Sequence, residues 1–243
     1  PCLTSLAKTA GKYGVDGRLE IIVQDDCSPD VDVVSVVRDL HMPALVERNA
    51  VNLGFAGNNN AGALRAHGDI ILFLNQDTRT HDGWFEPLLA MFDEPLVGIV
   101  GCKLVFKDTG DGEKIQSCGG LYDARKNPYH RYLGYNADDW RVNQTERVSW
   151  TTAGGLAIRR SLFYELHGFD VGYEKGYFED VSLCESAKRK GYQIWYCPQS
   201  VFEHEAGASG GVPTHIFRKN MMRFHTRWDN FIVPDTNVIM MNW

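Results

Sequence analysis

The stretch "FLNQDTRTHDGW", Phe73 to Trp84, ends an apolar run in Asn75, Gln76 and Asp77, so two amides and a carboxylate meet where a strand should stop. An ionised carboxylate only accepts hydrogen bonds, whereas an amide does both. Such a strand end either faces a ligand or a cation in a crevice or closes an ordinary turn. The juxtaposition recurs upstream, where the run Leu19 to Val23 stops at Gln24, Asp25 and Asp26. Further along, Glu179 and Asp180 open a helical pattern and His204 stands in "FEHEAGAS". Carboxylates suit proton removal and hard cations, and an imidazole suits a transition metal.

Elements that would position these groups can be read from apolar spacing. Leu3 to Ala10 reads as a helix, Leu19 to Val23 as a strand, Val31 to Leu40 as a helix, Ala44 to Glu47 as a strand, Asn58 to Ala66 as a helix and Asp69 to Leu74 as a strand. Ser28, Pro29 and Asp30 read as a turn that caps the second helix. This alternation predicts a parallel sheet with crossover helices, and ligands of such sheets bind outside the carboxyl ends of the strands. Asp25, Asp26 and Asp77 should then line one crevice. Beyond it come a helix over Trp84 to Phe92, a strand over Val97 to Phe106 and a turn at Asp108 to Gly112. Tyr122 to Arg147 reads as a long functional loop. Order returns from Trp150 to Arg160, with helices over Ser161 to Leu166, Glu179 to Lys190 and Pro213 to Trp228, and a strand over Tyr192 to Cys197.

At 243 residues with 44% hydrophobic content, the chain can bury a sizeable core and is globular rather than disordered. A formal net charge of −6 does not suit a chain that grips a nucleic-acid backbone, so no nucleic-acid partner is expected. Six scattered cysteines without a CxxC pair speak against a zinc ribbon or a disulfide framework and favour a reducing compartment. No run approaches the roughly 20 apolar residues of a membrane span, and no signal-peptide pattern opens the chain. The expected location is cytoplasmic. The sequon Asn143-Gln144-Thr145 is of a kind that arises by chance and carries no weight.

Six segments taken together, "IIVQDDCSPD", "RNAVNLGFAGNNNAG", "GDIILFLNQDT", "TTAGGLAIRRSLFYELHGFD", "YFEDVSLCESAKRKGY" and "VFEHEAGAS", resemble the inverting glycosyltransferases of family 2, in their rhamnosyltransferase-like branch. The resemblance extends to Ser209. It implies an α/β fold of the GT-A type, nucleotide-diphospho-sugar transferase-like, a three-layer sandwich around a mainly parallel sheet. One domain over residues 1–243 is expected, with a nucleotide-sugar-binding half at 1–78, an acceptor and catalytic-base half at 79–209 and a helical extension at 210–243. The family carries a strand before its first helix, and Pro1 already lies beyond the place of that strand, so the resemblance implies a fragment without it.

The same resemblance implies roles. A carboxylate of Asp25 or Asp26 accepts from the imide N–H of uracil or thymine, and Asn52, Gly54, Asn75 and Gln76 belong to the nucleotide site. Asp77 takes the place of the last aspartate of the family's DXD motif and binds Mn²⁺ or Mg²⁺, with His204 completing the metal shell. Asn75 replaces the motif's first carboxylate, which weakens the site for a hard cation. Asp180 is the catalytic base, ionised at an ordinary carboxylate pKa of about 3.9. Glu179, Gly154 and Gly155 line the acceptor side. Apart from the resemblance, the flat ring of Trp150 suits stacking on a sugar face, although an isolated tryptophan is more often core, and it ranks below the other sites. Ser182 and Ser186 stand where the family often has an aspartate and an arginine.

The implied donor is a UDP- or dTDP-sugar, rhamnose first, and the acceptor a glycan or lipid-linked glycan. Arg218, Lys219, Arg223 and Arg227 on the last helix would meet lipid phosphates at the inner membrane face or a neighbouring domain, or else form a solvated face. Two rivals remain: a nucleotidyltransferase, and a catalytically silent sugar-binding or scaffold module of a polysaccharide-assembly protein.

Overall fold

A computed structural model describes residues 1–29, 31–40, 43–205 and 211–235. The chain opens with α1 (Cys2–Val15), whose buried residues Leu6, Ala10 and Tyr13 recur at helical spacing and lay one stripe on the core. Then come β1 (Ile22–Asp25), α2 (Val33–Asp39), β2 (Leu45–Arg48), α3 (Gly54–Ala63), β3 (Ile70–Leu74), β4 (Thr78–Thr80) and α4 (Phe85–Ala90). The second half holds β5 (Val97–Phe106), β6 (Lys114–Ser117), β7 (Gly120–Tyr122), β8 (Pro128–His130), β9 (Glu146–Arg147), β10 (Gly155–Arg159), α5 (Arg160–Glu165), α6 (Glu179–Arg189), β11 (Gln193–His204) and α7 (Thr214–Trp228).

The central sheet has the order β3-β10-β5-β11-β4, with β6 added to β5 and β9 to β11. β5 is buried along nearly its whole length because both faces are covered, which is why it reads as an unbroken apolar run. One face packs Ile99, Val105, Leu156 and Ile158 against α3, α5 and α6. The other packs Val97, Val100, Cys102, Leu104 and Ala157 against α1 and α4. Three layers result, as expected.

Strand direction differs from expectation. β5 and β11 run parallel, but β10 is antiparallel to both β3 and β5, and β4 is antiparallel to β11. The sheet is therefore mixed rather than mainly parallel. β1 and β2 pair in parallel as a separate two-stranded sheet.

Smaller expectations also change. α2 is capped by Asp32, whose carboxylate accepts from Ser35 N, not by Ser28; Asp30 lies outside the described residues. The segment 122–147 is a patchwork of short strands and one 3₁₀ turn, Trp140–Val142. Trp150 is 4% exposed within the core, its indole N–H donating to Leu121 O and its ring beside His130. No sugar can stack on it. Asn143 is likewise engaged, accepting from Lys103 Nζ and donating to the carbonyls of Ala137 and Asp139. No helix among the described residues is long and apolar enough to cross a membrane.

Candidate active site

The turn after β3 closes through Thr78 N donating to Asn75 O at 3.1 Å. It is thus a turn, and also more. β4 lies antiparallel to β11 with Thr78 opposite His204, and Glu205 N donates to Asp77 O. That register brings His204 Nε2 to 3.2 Å from Asp77 Oδ1 and 3.1 Å from Asn75 Nδ2. The Asp77 and His204 side chains are only 11% and 15% exposed. Asp77 Oδ1 is buried without a hydrogen bond, a costly state for a carboxylate oxygen that a cation between it and Nε2 would relieve. Among the described residues no group of three or more His, Cys, Asp or Glu could hold a metal ion. A cation here would need further oxygens from a ligand. Gln76 lies in the same turn.

Asp180 stands in the first turn of α6. Its Oδ1 accepts from Val181 N at 2.8 Å and its Oδ2 from Ala153 N at 3.1 Å. The next residue is Gly154, where an added Cβ would lie 3.6 Å from Asn75 Nδ2 and 3.9 Å from His204 Cε1. One residue of the turn before β10 therefore holds Asp180, and its neighbour is a glycine at a place where a side chain would meet Asn75 and His204. Gly155 instead serves packing: a Cβ there would press on Leu104, Phe202 and Cys102 at 3.0–3.3 Å, so the expected acceptor contact at Gly155 is replaced by core.

Both acids of the pair are perturbed, contrary to the expectation of an ordinary aspartate. Burial pushes Asp180 up, opposed by the amides of Ala153 and Val181 and by the Thr152 hydroxyl. Burial and then the Asp180 charge push Glu179 well above the usual carboxylate range, and its Oε2 is buried with no partner. Burial thus disfavours the charged form of both acids, and Asp180 is the one better supplied with donors that offset it.

The segment leading into α6 is held in unfavourable backbone. Lys175, Tyr177 and Phe178 have φ of 60°, 72° and 75°, and Gly176 has 137°. Side chains other than glycine rarely adopt this region. Asn220 of α7, fully buried, accepts from Glu174 N and donates to the carbonyls of Glu174, Gly176 and Tyr177. Phe178 packs on Phe217 and Phe224 of the same helix. Three of the four basic residues expected to face lipid are occupied here: Lys219 pairs with Glu174, and Arg223 and Arg227 with Asp170. The basic helix is a brace for the segment before Asp180.

On the donor side the expected residues do converge, but on one another. Asp26 accepts from Leu53 N at 2.7 Å, Gly54 N at 2.9 Å and Asn49 Nδ2 at 2.9 Å. The first N–H groups of α3 are thus already met by a carboxylate. Asn52 donates to Asp26 O and accepts from Gly54 N. Asp25 is buried and takes Arg48 Nη1 and Ser28 N; burial would raise its pKa, and the Ser28 and Arg48 contacts outweigh that and lower it. Asn60 exchanges two hydrogen bonds with the backbone of Phe169, tying α3 to the segment before the α6 acids.

Sequence reasoning missed Asn49, Gln116 and Asn220. Only Asn220 left a trace, as a lone amide in an otherwise basic, aromatic helix.

A family model described as Glycosyl transferase family 2 matches residues 1–166, more than half of the chain. The chain belongs to that family. Family 2 relatives include a pre-mycofactocin glycosyltransferase of Mycobacterium tuberculosis, 26% identical over 77% of this chain and 37% of its own length. Another is the O-antigen biosynthesis protein RfbC of Myxococcus xanthus, 28% identical over 62% of this chain and 12% of its own. The chain thus spans well under half the length of these relatives. Among solved structures, GalNAc-T7 with UDP, GalNAc and Mn²⁺ superposes with a TM-score of 0.74 at 18% identity, over 94% of this chain and 46% of that one. A mannosyltransferase of Pyrobaculum calidifontis with GDP-Man and Mn²⁺ gives 0.61 at 19% identity, over 96% and 60%. These likenesses establish the GT-A fold of this family 2 chain.

Proposed function

We propose that this chain is the catalytic domain of an inverting glycosyltransferase that moves a sugar from a nucleoside-diphosphate donor to a hydroxyl of a glycan or lipid-linked glycan. The observation that carries the reading is the turn at Ala153 and Gly154, which holds Asp180 on one residue and lies beside Asn75 and His204 on the next. A proton acceptor and a candidate phosphate-side cluster are thereby neighbours.

Asp180, ionised, takes the proton of the acceptor hydroxyl as its oxygen bonds to the anomeric carbon. The bond from that carbon to the diphosphate oxygen breaks on the opposite face, the nucleoside diphosphate leaves, and the centre inverts. Ala153 N–H and Val181 N–H keep the Asp180 carboxylate oriented and favour its charged form. Glu179, protonated, adds no second negative charge beside it and has a hydroxyl to donate to an acceptor oxygen. Asp77 and His204 are the residues that would hold a divalent cation, Mn²⁺ or Mg²⁺, whose positive charge would favour departure of the diphosphate. Mn²⁺ in the structures of GalNAc-T7 and the mannosyltransferase supports this assignment.

The preferred donors are UDP- and dTDP-sugars, with rhamnose first; UDP in GalNAc-T7 and UDP-GlcNAc in TarS of S. aureus support the uracil choice. The O-antigen biosynthesis relative supports a polysaccharide acceptor. Release of nucleoside diphosphate, measured across UDP-, dTDP- and GDP-sugars with Mn²⁺ and glycan acceptors, tests the reading. Binding of a nucleotide sugar without release under any combination would instead identify a silent binding module.

A further inference from the structure

His204 touches more than the candidate cation site. Its Nδ1 lies 2.6 Å from Gln116 Oε1, and Gln116 Nε2 donates to the His204 carbonyl at 3.2 Å. Gln116 reaches both because it is the extra residue of a β-bulge: Ile115 faces Val105 and Ser117 faces Leu104 across the β5–β6 ladder, leaving Gln116 unpaired. Bulges often re-aim a side chain beside a site.

The polarity of this contact is fixed from one end. A carbonyl oxygen only accepts, so the Gln116 atom facing His204 O must be the NH₂ group, and the one facing Nδ1 must be the carbonyl oxygen. Nδ1 therefore carries hydrogen. In the neutral ring that leaves Nε2 as a lone pair, and Asn75 Nδ2, 3.1 Å away, is a donor suited to it. Nε2 also lies 3.2 Å from Asp77 Oδ1, a buried acceptor with no hydrogen bond. Two acceptors 3.2 Å apart repel unless something positive lies by them.

Building on the proposed cation site at Asp77 and His204, we propose that Gln116 is its positioning residue: it holds His204 as the Nδ1–H tautomer and so presents the Nε2 lone pair beside Asp77. Outer partners of a ligating histidine fix its tautomer and ring orientation, and losing one typically costs about 10- to 100-fold in metal affinity.

The test uses the full chain labelled with ¹⁵N-histidine, with His204→Gln to assign the His204 signals. Long-range ¹H–¹⁵N spectra should show the Nδ1–H form in the wild type. Gln116→Met, similar in length but without donor or acceptor, should shift the ring toward Nε2–H, the form that can donate to Asp77. It should also weaken Mn²⁺ binding in the presence of UDP by about 10- to 100-fold, with metal-free UDP affinity unchanged. Gln116→Glu keeps an acceptor for Nδ1 and should retain the Nδ1–H form, which a merely structural role would not demand. An unchanged tautomer in Gln116→Met, or Mn²⁺ affinity within twofold of wild type, overturns this inference while leaving the cation reading intact. Wild-type protein that binds no Mn²⁺ with either UDP or dTDP defeats the cation reading, and this inference with it, whatever the spectra show.

Discussion

Asp26 and Glu179 are both acids expected at the cleft, yet their surroundings are opposite. Asp26 receives three donors, two of them backbone N–H groups at the start of α3. Glu179 is buried with one oxygen unmatched and a second acid beside it. A carboxylate rich in donors is fixed in place, and braces a turn. A carboxylate starved of them is driven to hold a proton, which is a chemical property. The surroundings of Asp26 are therefore saturated, whereas on α6 Glu179 is left short of donors beside the better-supplied Asp180.

That contrast can be broken most sharply at Asp180. If it accepts the acceptor proton, Asp180→Asn should lower turnover by roughly 10²- to 10⁴-fold while titrations with UDP-sugar show donor affinity nearly intact. Equal losses of donor binding and turnover would move Asp180 to the donor side. Asp26→Ala should do the reverse, removing charge-assisted hydrogen bonds worth about 1.5–3 kcal/mol each. Denaturant titration should show a loss of roughly 3 kcal/mol, and the folded fraction should keep its kcat. A large kcat effect without destabilisation would make Asp26 a reacting group rather than a brace. Asn220→Ala tests whether the α6 side depends on its own brace. Leaving buried carbonyls unmatched should cost about 1–3 kcal/mol, seen as a lower Tm, with turnover falling as the segment 174–178 relaxes.

The smallest effect concerns pH. Burial raises the Glu179 pKa above its unfolded value, so the folded form binds the proton more tightly and Glu179 favours the fold fully only below the unfolded carboxylate range. That contribution is lost as pH rises toward its folded pKa. Glu179→Gln should thus be more stable than wild type at neutral pH, with the difference closing on acidification into the ordinary carboxylate range near about pH 4. Chemical denaturation at several pH values checks it; a difference that grows on acidification would refute the assignment of the proton to Glu179.

Legibility tracks the range of the forces involved. β5 is readable at both ends because burial on two faces leaves a continuous apolar run and needs no distant information. α3 begins at Gly54 rather than Asn58 because the partner of its first N–H groups, Asp26, lies 28 residues upstream of Gly54. Strand direction is not legible, since alternation of apolar segments says nothing about whether β10 returns up or down the sheet. The short strands of 122–147 hold two or three residues each, too few for any period. Asp77, Asp180 and His204 are legible as types, but the partners that orient them, Ala153 N–H and Gln116, come from the backbone and from a bulge, neither of which leaves a mark in residue identity. Trp150 shows the converse: a residue well suited to binding sugar, taken up by the core.

The turn at Ala153 and Gly154 acts as a shared anchor. Consecutive Cα atoms are fixed at about 3.8 Å by covalent geometry, so the amide that holds Asp180 and the glycine beside Asn75 and His204 cannot be drawn apart. The side chains they face are held to them only by non-covalent contacts and keep their own freedom. A movement of this turn must therefore be felt on both sides at once, and neither side can lose it alone.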